Sequence, residues 1–435
     1  MSRRRAGLAL ALLVAALAAP RGATAAAPVR ERLDNGLTVL VRENPVAPVV
    51  AVSLLLKTGT RWERAEQAGI SNFLHAVMVK GTTRRSGADL AEAIAALGGK
   101  LSASGDIDYS GISASALARF WRELLALTAE LALEPKLAPD DVPIERDWLV
   151  SRIQRQRDSP SARAFDEFYA ALYGSHPYGL PSLGTPASLA RIDHAVLVAH
   201  YRAVYRPERM ILAVSGQVRA DEVLAEARRL FGGLPRGGAV AEPGNAPPVR
   251  GARRLVVEQA AQQAQILAGG LAPSLDHADH AAVKVLATVL GGGMAGRLFA
   301  ELRDKQALAY TANAFYDPVK EPGALILYLG TAPDNAGRAE AALLREIERV
   351  QAELVTPDEL ARAKGYLLGN YAMDRRTNAR QAWYMVFYEI EGVGQDFPDR
   401  YRRAVEAVTA ADVQRVARAY LTAPTIVVLR PPAGR

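Results

Sequence analysis

A single histidine stands where helical spacing could bring metal ligands together. His75 lies in a segment with helical periodicity, residues 67–79. Its neighbours on the same helical face would be Ser71, Asn72, Met78 and Val79. None of these is a strong ligand for a transition metal, and a protein zinc site needs three or four donors. We therefore expect His75 to pack as a polar residue in a cleft wall, and the isolated His176, His194 and His200 to be solvated.

Two donors suited to a developing oxyanion stand farther along the chain. Arg303 and Tyr310 are seven residues apart and follow a glycine-rich turn, whose spacing fits neither a dinucleotide nor a phosphate loop. A fixed cation and a phenolic hydroxyl can each stabilise negative charge in a tetrahedral intermediate, often by ~3 kcal/mol per donor. On the residues alone, a structural explanation is favoured: Arg303 pairs with a helix acid and Tyr310 starts a buried strand.

The helical segment carries a resemblance to a known family. Asn72-Phe73-Leu74-His75-Ala76, followed by Lys80-Gly81-Thr82, is similar to the active helix of the pitrilysin/insulinase-like metallopeptidases. That family uses His-x-x-Glu-His, in which two imidazoles one turn apart hold zinc and the carboxylate deprotonates the bound water. The same places here are Asn72, His75 and Ala76.

The resemblance also implies a third zinc ligand, a Glu, at the position of Arg152. A guanidinium has no lone pair and stays protonated, so it would repel a dication. All four zinc-site positions, Asn72, His75, Ala76 and Arg152, are therefore replaced, and we expect no metal in this chain.

Further site residues follow from the resemblance. Residues 291–310 match the family's glycine-rich turn and helix, in which the Arg/Tyr pair faces the zinc across a chamber and binds the scissile peptide. This assigns the catalytic role to Arg303 and Tyr310. The strand Leu101, Ser102, Ala103 and Ser104 resembles the edge to which an extended substrate is added by backbone hydrogen bonds. An ordinary edge hairpin explains the same pattern equally well.

The elements that must position these residues are mixed α and β throughout. Helices are predicted over residues 186–205 and 294–305, among others, and strands over 100–105 and 210–216. Residues 232–251 are rich in glycine and proline and form a linker, after which the order of elements repeats. The matching order indicates two similar modules of mixed α and β structure, 28–231 and 252–435. The resemblance implies the fold class α+β, with two homologous sheet-plus-helix domains that have helices on one side of each sheet and form half of a clam-shell.

The start of the chain reads as an export signal, residues 1–25. Three arginines precede a short apolar run and a small-x-small cleavage pattern, and the run is below the ~20 residues that span a bilayer. Its removal would take away four arginines and lower the formal charge from +7 to +3, so the high pI does not indicate a nucleic-acid partner. The expected location is the periplasm, with full secretion left open. The chain has no cysteine, so neither disulfides nor a thiolate nucleophile take part.

A chain without the metal site but with the oxyanion donors holds half of an active site. Some members of the family pair two such chains, one with zinc and one with the Arg/Tyr pair. The leading hypothesis is a non-catalytic subunit of an exported heterodimeric zinc peptidase, with zinc in the partner and short or unfolded peptides as substrate. The alternatives are an inert scaffold subunit with a peptidase fold and, third, a self-sufficient hydrolase with a relocated metal.

Overall fold

The computed structural model describes residues 27–244, 248 and 251–432, so the expected signal and part of the linker lie outside the described residues. Two β-sheets and the helices around them make up this part of the chain. The strands are β1 Val29–Arg32, β2 Thr38–Glu43, β3 Val49–Leu56, β4 Lys100–Gly105, β5 Ser110–Leu117, β6 Met210–Gly216, β7 Arg253–Glu258, β8 Ala264–Ala272, β9 Thr311–Asp317, β10 Gly323–Thr331 and β11 Thr425–Arg430. The α-helices are α1 Ile70–Met78, α2 Gly87–Ala96, α3 Trp121–Leu133, α4 Asp141–Asp158, α5 Pro160–Tyr173, α6 Pro186–Leu189, α7 His194–Val204, α8 Ala220–Phe231, α9 His280–Gly291, α10 Ala336–Ala352, α11 Pro357–Asp374, α12 Asn378–Glu391, α13 Phe397–Ala407 and α14 Ala410–Tyr420.

The two sheets share one plan. The first has the order β1-β2-β6-β3-β5-β4 and the second β7-β11-β8-β10-β9. In each, one pair is parallel, β2 with β6 and β11 with β7, and the remaining pairs are antiparallel. The repeated order of elements that the sequence suggested therefore corresponds to two similar sheet-and-helix halves. The predicted edge strand over residues 100–105 is confirmed as β4, at the end of the first sheet.

Both faces of each sheet are covered, because the halves exchange a helix. Strand β3 is apolar almost throughout, as expected for a strand buried on both faces. Val52 and Leu54 pack against helices of the same half, whereas Ala51 and Leu55 pack against Met385 and Val386 of α12. In return, α5 packs on the second sheet, with Phe168 among Leu267, Ile326 and Val427. The expectation of helices on one side only is corrected: the second side is filled by the other half.

Two predicted helices are interrupted. Residues 186–205 form α6 and α7, because the Asp193 side chain accepts a hydrogen bond from the backbone N–H of Val196 and begins a new helix there. Residues 294–305 form a short 3₁₀ turn and then a π-helical segment, Leu298–Lys305. Gly296 is extended between them and ends the first turn. None of the described helices is long and apolar enough to cross a bilayer.

Candidate functional site

Helix α1 is fixed at its first turn by a buried carboxylate. Gly69 takes the left-handed conformation, φ 89°, before the helix starts. The side chain of Glu63 accepts the backbone N–H groups of Gly69 (2.7 Å) and Ser71 (3.0 Å), which are donors that a helix start leaves unpaired. Burial raises the pKa of Glu63, and these hydrogen bonds oppose the rise. The carboxylate is thus committed to capping.

His75 is locked on both ring nitrogens. Its Nδ1 lies 2.6 Å from the carbonyl oxygen of Ser71, and its Nε2 lies 2.8 Å from the hydroxyl oxygen of Tyr205. The carbonyl can only accept, so Nδ1–H donates to it and Nε2 accepts the tyrosine O–H. The ring is 1% exposed, and burial lowers the pKa of His75 to about 4. This side chain is a neutral core group with no lone pair to offer a metal.

The side-chain amide of Asn72 links three segments, because its nitrogen and its oxygen each form a hydrogen bond to the backbone. Its Nδ2 donates to the carbonyl oxygen of Ser182 (2.9 Å), and its Oδ1 accepts the backbone N–H of Gly105 (3.1 Å). The amide therefore ties α1 to the end of β4 and to the loop before α6. Ala76, one turn away, contributes only a half-buried methyl group.

The guanidinium group of Arg152, on α4, lies over the aromatic ring of Trp148. The guanidinium carbon lies 4.8 Å from the ring centroid of Trp148, an arrangement that stabilises an exposed cation–π pair. The buried Glu145, two turns earlier on α4, is paired with Lys80 at 2.5 Å. The carboxylate on this face of α4 is therefore engaged by the chain's own cation.

The zinc that the fold family would hold here does not fit these residues. The four positions offer an amide with both groups bonded, a neutral imidazole with both nitrogens bonded, a methyl group and a guanidinium. Zinc requires three or four lone-pair donors at tetrahedral angles. In the described part of the chain, no three His, Cys, Asp or Glu residues are grouped so that they could hold a metal ion.

Arg303 and Tyr310 flank the end of the π-helical segment and are both exposed. The guanidinium carbon of Arg303 lies 4.5 Å from the ring centroid of Phe299, and no carboxylate of the described residues lies within ion-pairing distance of it. Tyr310 is 61% exposed, and its backbone N–H donates to Gly330 (2.8 Å), next to the start of β9. Neither structural explanation, a helix ion pair or a buried strand start, therefore accounts for the two side chains.

The turn between them holds an unusual backbone conformation. Ala307 has φ 50°, in the left-handed region that favours glycine. Beyond it, the carbonyl oxygen of Leu308 accepts the Thr331 hydroxyl at 2.5 Å, which fixes the chain to β10. The backbone at Leu308 and at Tyr310 is therefore hydrogen-bonded to β10.

Strand β4 presents the free edge that an added strand would need. Along Lys100–Gly105 the residues alternate between exposed and half-buried, so that Ser102 and Ser104 face solvent while Leu101 and Ala103 lie against the core. Among the strands of the described residues, β4 pairs with β5 alone, on one side. Its outward backbone groups can accept an extended peptide.

A buried polar cluster that sequence reasoning missed joins the two halves. Arg61 pairs with Glu321, which also lies 2.6 Å from Nε2 of His176. The hydroxyl of Tyr178 donates to Asp108 (2.6 Å), and burial raises the pKa of that carboxyl. The expectation that His176 is solvated is wrong, because Glu321 reaches it from 145 residues away. No local pattern signals such a pair.

Comparisons of the sequence with known proteins point to one family. A sequence model of the insulinase peptidases, family M16, matches residues 38–186, and one of the peptidase M16 inactive domain matches residues 191–367. A protein of Mycobacterium tuberculosis strain H37Rv named as an uncharacterized zinc protease is 32% identical over 92% of both chains. The zinc protease YmxG of Bacillus subtilis, also described as uncharacterized, is 25% identical over 81% of this chain and 86% of its own.

Solved structures show the same fold. A peptidase M16 inactive domain of Pseudomonas fluorescens superposes with a TM-score of 0.86 and 22% identity, covering 94% of this chain and 99% of that one. A protease of Helicobacter pylori gives a TM-score of 0.88 and 23% identity over 93% and 100%. Both likenesses extend over nearly all of each chain.

Proposed function

The chain belongs to the insulinase family of peptidases, family M16, and from this we propose that it is the non-catalytic subunit of an exported heterodimeric zinc peptidase. It would supply Arg303 and Tyr310 to a homologous, zinc-bearing partner that hydrolyses short or unfolded peptides. This chain itself would carry no metal. The proposal depends on a contrast between two sets of residues. The positions of the zinc motif provide no set of metal ligands, whereas two donors suited to an oxyanion, Arg303 and Tyr310, are exposed at the surface.

The first half of this contrast supports inactivity of the single chain. Peptide hydrolysis in this family needs a zinc-bound water and a carboxylate that deprotonates it. The position of that carboxylate is His75, whose nitrogens are bonded to Ser71 and Tyr205. Hydrolysis would therefore depend on zinc from another subunit.

The second half supports a role in catalysis. An exposed guanidinium without an ion pair and an exposed phenol contribute little to the free energy of folding. Both groups are nevertheless strong hydrogen-bond donors for an oxyanion. Arg303, in the π-helical segment, and Tyr310, just after the turn that follows this segment, are both exposed. With the free edge of β4 available for an extended peptide, the chain offers binding and charge stabilisation without a nucleophile.

The test is reconstitution with a zinc-bearing relative. Co-expression should give zinc-dependent cleavage of an unfolded peptide, and Arg303→Ala or Tyr310→Phe should lower kcat by about 100-fold each, the usual effect of removing one oxyanion donor. Arg345→Ala and Tyr366→Phe serve as matched controls, because both residues are exposed on other helices of the same half. Complex formation should be unchanged in all four.

Three results would contradict the proposal. Full turnover with Arg303→Ala and Tyr310→Phe in an assembled complex would favour the inert scaffold. Stoichiometric zinc in the purified single chain, with chelator-sensitive cleavage, would favour the self-sufficient hydrolase. Retention in the cytoplasm of a chain that carries residues 1–25 would refute export to the periplasm.

A further inference from the structure

An aromatic ring lies against the guanidinium group of Arg303. The guanidinium carbon is 4.5 Å from the ring centroid of Phe299, four residues earlier in the π-helical segment Leu298–Lys305. Residues four apart lie on the same side of a helix, so this contact follows from their spacing in the sequence. The face of an aromatic ring attracts a cation without neutralising its charge.

The positions around Arg303 carry no acid that competes with the ring. The residues three and four positions away are all uncharged, namely Phe299, Ala300, Gln306 and Ala307. Glu301 is two positions away and pairs instead with Lys305 (2.9 Å) and Arg349 (3.6 Å). Asp304 follows Arg303 directly, and adjacent residues of a helix do not face each other. The segment therefore holds this cation by stacking and not by an ion pair.

The backbone that carries the ring is fixed in the core of the second half. Leu298 and Leu302 are fully buried there. Phe299 and Arg303 directly follow these two leucines, and the phenyl ring is half-buried while the guanidinium group is exposed. The ring therefore connects an anchored segment to an exposed cation. Segments of π-helix are rare in proteins and are frequently found at functional sites.

A contact with an aromatic ring leaves the hydrogen-bond donors of the guanidinium group available. A carboxylate would take two of these N–H donors in a bidentate pair. Arg297 shows this arrangement in the same region, because its Nε and Nη2 donate to the two carboxylate oxygens of Glu359 (2.7 and 3.0 Å). The ring of Phe299 offers no such acceptor. It can therefore restrict the position of Arg303 while the N–H donors stay available for an oxyanion.

We propose that Phe299 is a positioning residue, which holds the guanidinium group of Arg303 in the orientation in which it donates to an oxyanion. This inference rests on the proposed function, in which Arg303 acts in the active site of a partner subunit. Phe299 acts through Arg303 and not on the peptide itself. Removal of the ring should therefore affect turnover only while Arg303 is present.

The first test uses the purified single chain and requires no partner. NMR relaxation of the arginine Nε–H groups reports how strongly each guanidinium group is restrained, and the Arg303 signal is the one missing from the spectrum of Arg303→Ala. We expect a restrained Arg303 in the wild type and in Phe299→Tyr, which keeps the ring. In Phe299→Leu, which keeps an apolar side chain without a ring, Arg303 should be mobile. Equal mobility in the wild type and in Phe299→Leu would overturn the proposal.

The second test is a double-mutant cycle in the complex with a zinc-bearing relative. Phe299→Leu should lower kcat by about 2- to 5-fold, which corresponds to the loss of one exposed cation–π pair. Phe299→Tyr should keep the wild-type kcat. In the Arg303→Ala background, Phe299→Leu should have no further effect, because the residue through which the ring acts is already absent. A second loss of kcat in that background would show a structural role and overturn the proposal.

Phe120→Leu is the matched control, because Arg119 stacks on the half-buried ring of Phe120 at a similar distance, 4.6 Å, in the first half. This variant should leave both kcat and the mobility of Arg303 at their wild-type values, and thermal unfolding checks that each variant folds. A wild-type complex without zinc-dependent turnover would refute the proposed function instead. The relaxation measurement on the single chain would then still decide whether Phe299 restrains Arg303.

Discussion

Replacing His75 and Tyr205 together tests whether the position of the catalytic carboxylate is now a neutral core group. The imidazole is buried and bonded to Ser71 and Tyr205, and burial lowers the pKa of His75 to about 4. An unfolded chain protonates this histidine below pH 6.5. The folded chain therefore binds fewer protons between pH 6.5 and about 4, and its free energy of unfolding falls as the pH is lowered through that window.

The size of the effect follows from the width of the window. Each pH unit in which only the unfolded state holds the proton costs about 1.4 kcal/mol, so acidification from pH 7 to pH 4 removes about 3 kcal/mol through His75. In a His75→Met/Tyr205→Phe variant this dependence is absent. The double change also avoids the penalty of Tyr205→Phe alone, which would leave Nε2 of His75 without its donor at a cost of about 1–3 kcal/mol.

The assay is urea unfolding of both proteins at pH 7 and pH 4.5. The wild type should lose roughly 2–3 kcal/mol more than the double variant over this interval. His280 is buried and remains in both proteins, so its contribution cancels in the difference. His200 also remains, and because burial lowers its pKa more than the charge of His75 does, most of its contribution cancels as well. An equal pH dependence would refute the reasoning, since it would mean that His75 titrates as in water and keeps a lone pair available.

Three further perturbations follow from single contacts. Ala307→Gly should raise the free energy of unfolding by about 0.5–1 kcal/mol, because glycine adopts φ 50° without strain; a lower urea midpoint would show that the turn is not strained. Asn72→Ala should speed hydrogen exchange at the Gly105 amide, which loses its acceptor; unchanged exchange would remove Asn72 as the tie to β4. Burial, with the charge of Asp108, raises the pKa of Glu391, whose oxygens have no hydrogen-bond partner in the described chain. The folded chain keeps Glu391 neutral up to about pH 9, whereas the unfolded chain ionises it above the ordinary value of 4.5, so the free energy of unfolding falls as the pH rises between these two values. The thermal midpoint of Glu391→Gln should therefore fall less than that of the wild type between pH 7 and pH 9.

Elements with strong local signals could be predicted from the sequence. Strand β6, residues 210–216, is buried along its whole length and is matched to the residue, as is the edge strand β4. Ser159 and Pro160 lie where one helix ends and the next begins, with the Ser159 side chain capping α5, and both are residue types typical of such a boundary. In these cases the bounds of the element are determined by residue types within a few positions, so the local sequence is enough to predict them.

Other elements depend on distant residues and could not be predicted. The sequence pattern does not predict helix α13, because most of its residues are charged or polar. Its apolar residues Phe397, Tyr401 and Val405 nevertheless pack in the core. The local sequence does not predict that α5 and α12 pack on the sheet of the other half, because an apolar helix face can pack on either sheet. For the candidate site, the loss of zinc ligands was visible in the residue types, whereas the bonding of His75 to Tyr205 joins positions 130 residues apart.

The exchanged helices complete the core of each half. Ala382 and Met385 of α12 fill the outer face of the first sheet, and Phe168 of α5 fills that of the second, so each half is completed by the other. At two of the positions that correspond to the family's zinc motif, Asn72 and His75 add hydrogen bonds between distant segments. The stability of the fold does not by itself explain the conformation of the segment from Arg303 to Tyr310. It exposes an aromatic ring, leaves a cation without a carboxylate and holds an alanine in the left-handed region, at a cost of about 1 kcal/mol. These exposed and strained features are the ones on which the proposed role of Arg303 and Tyr310 in a partner's active site depends.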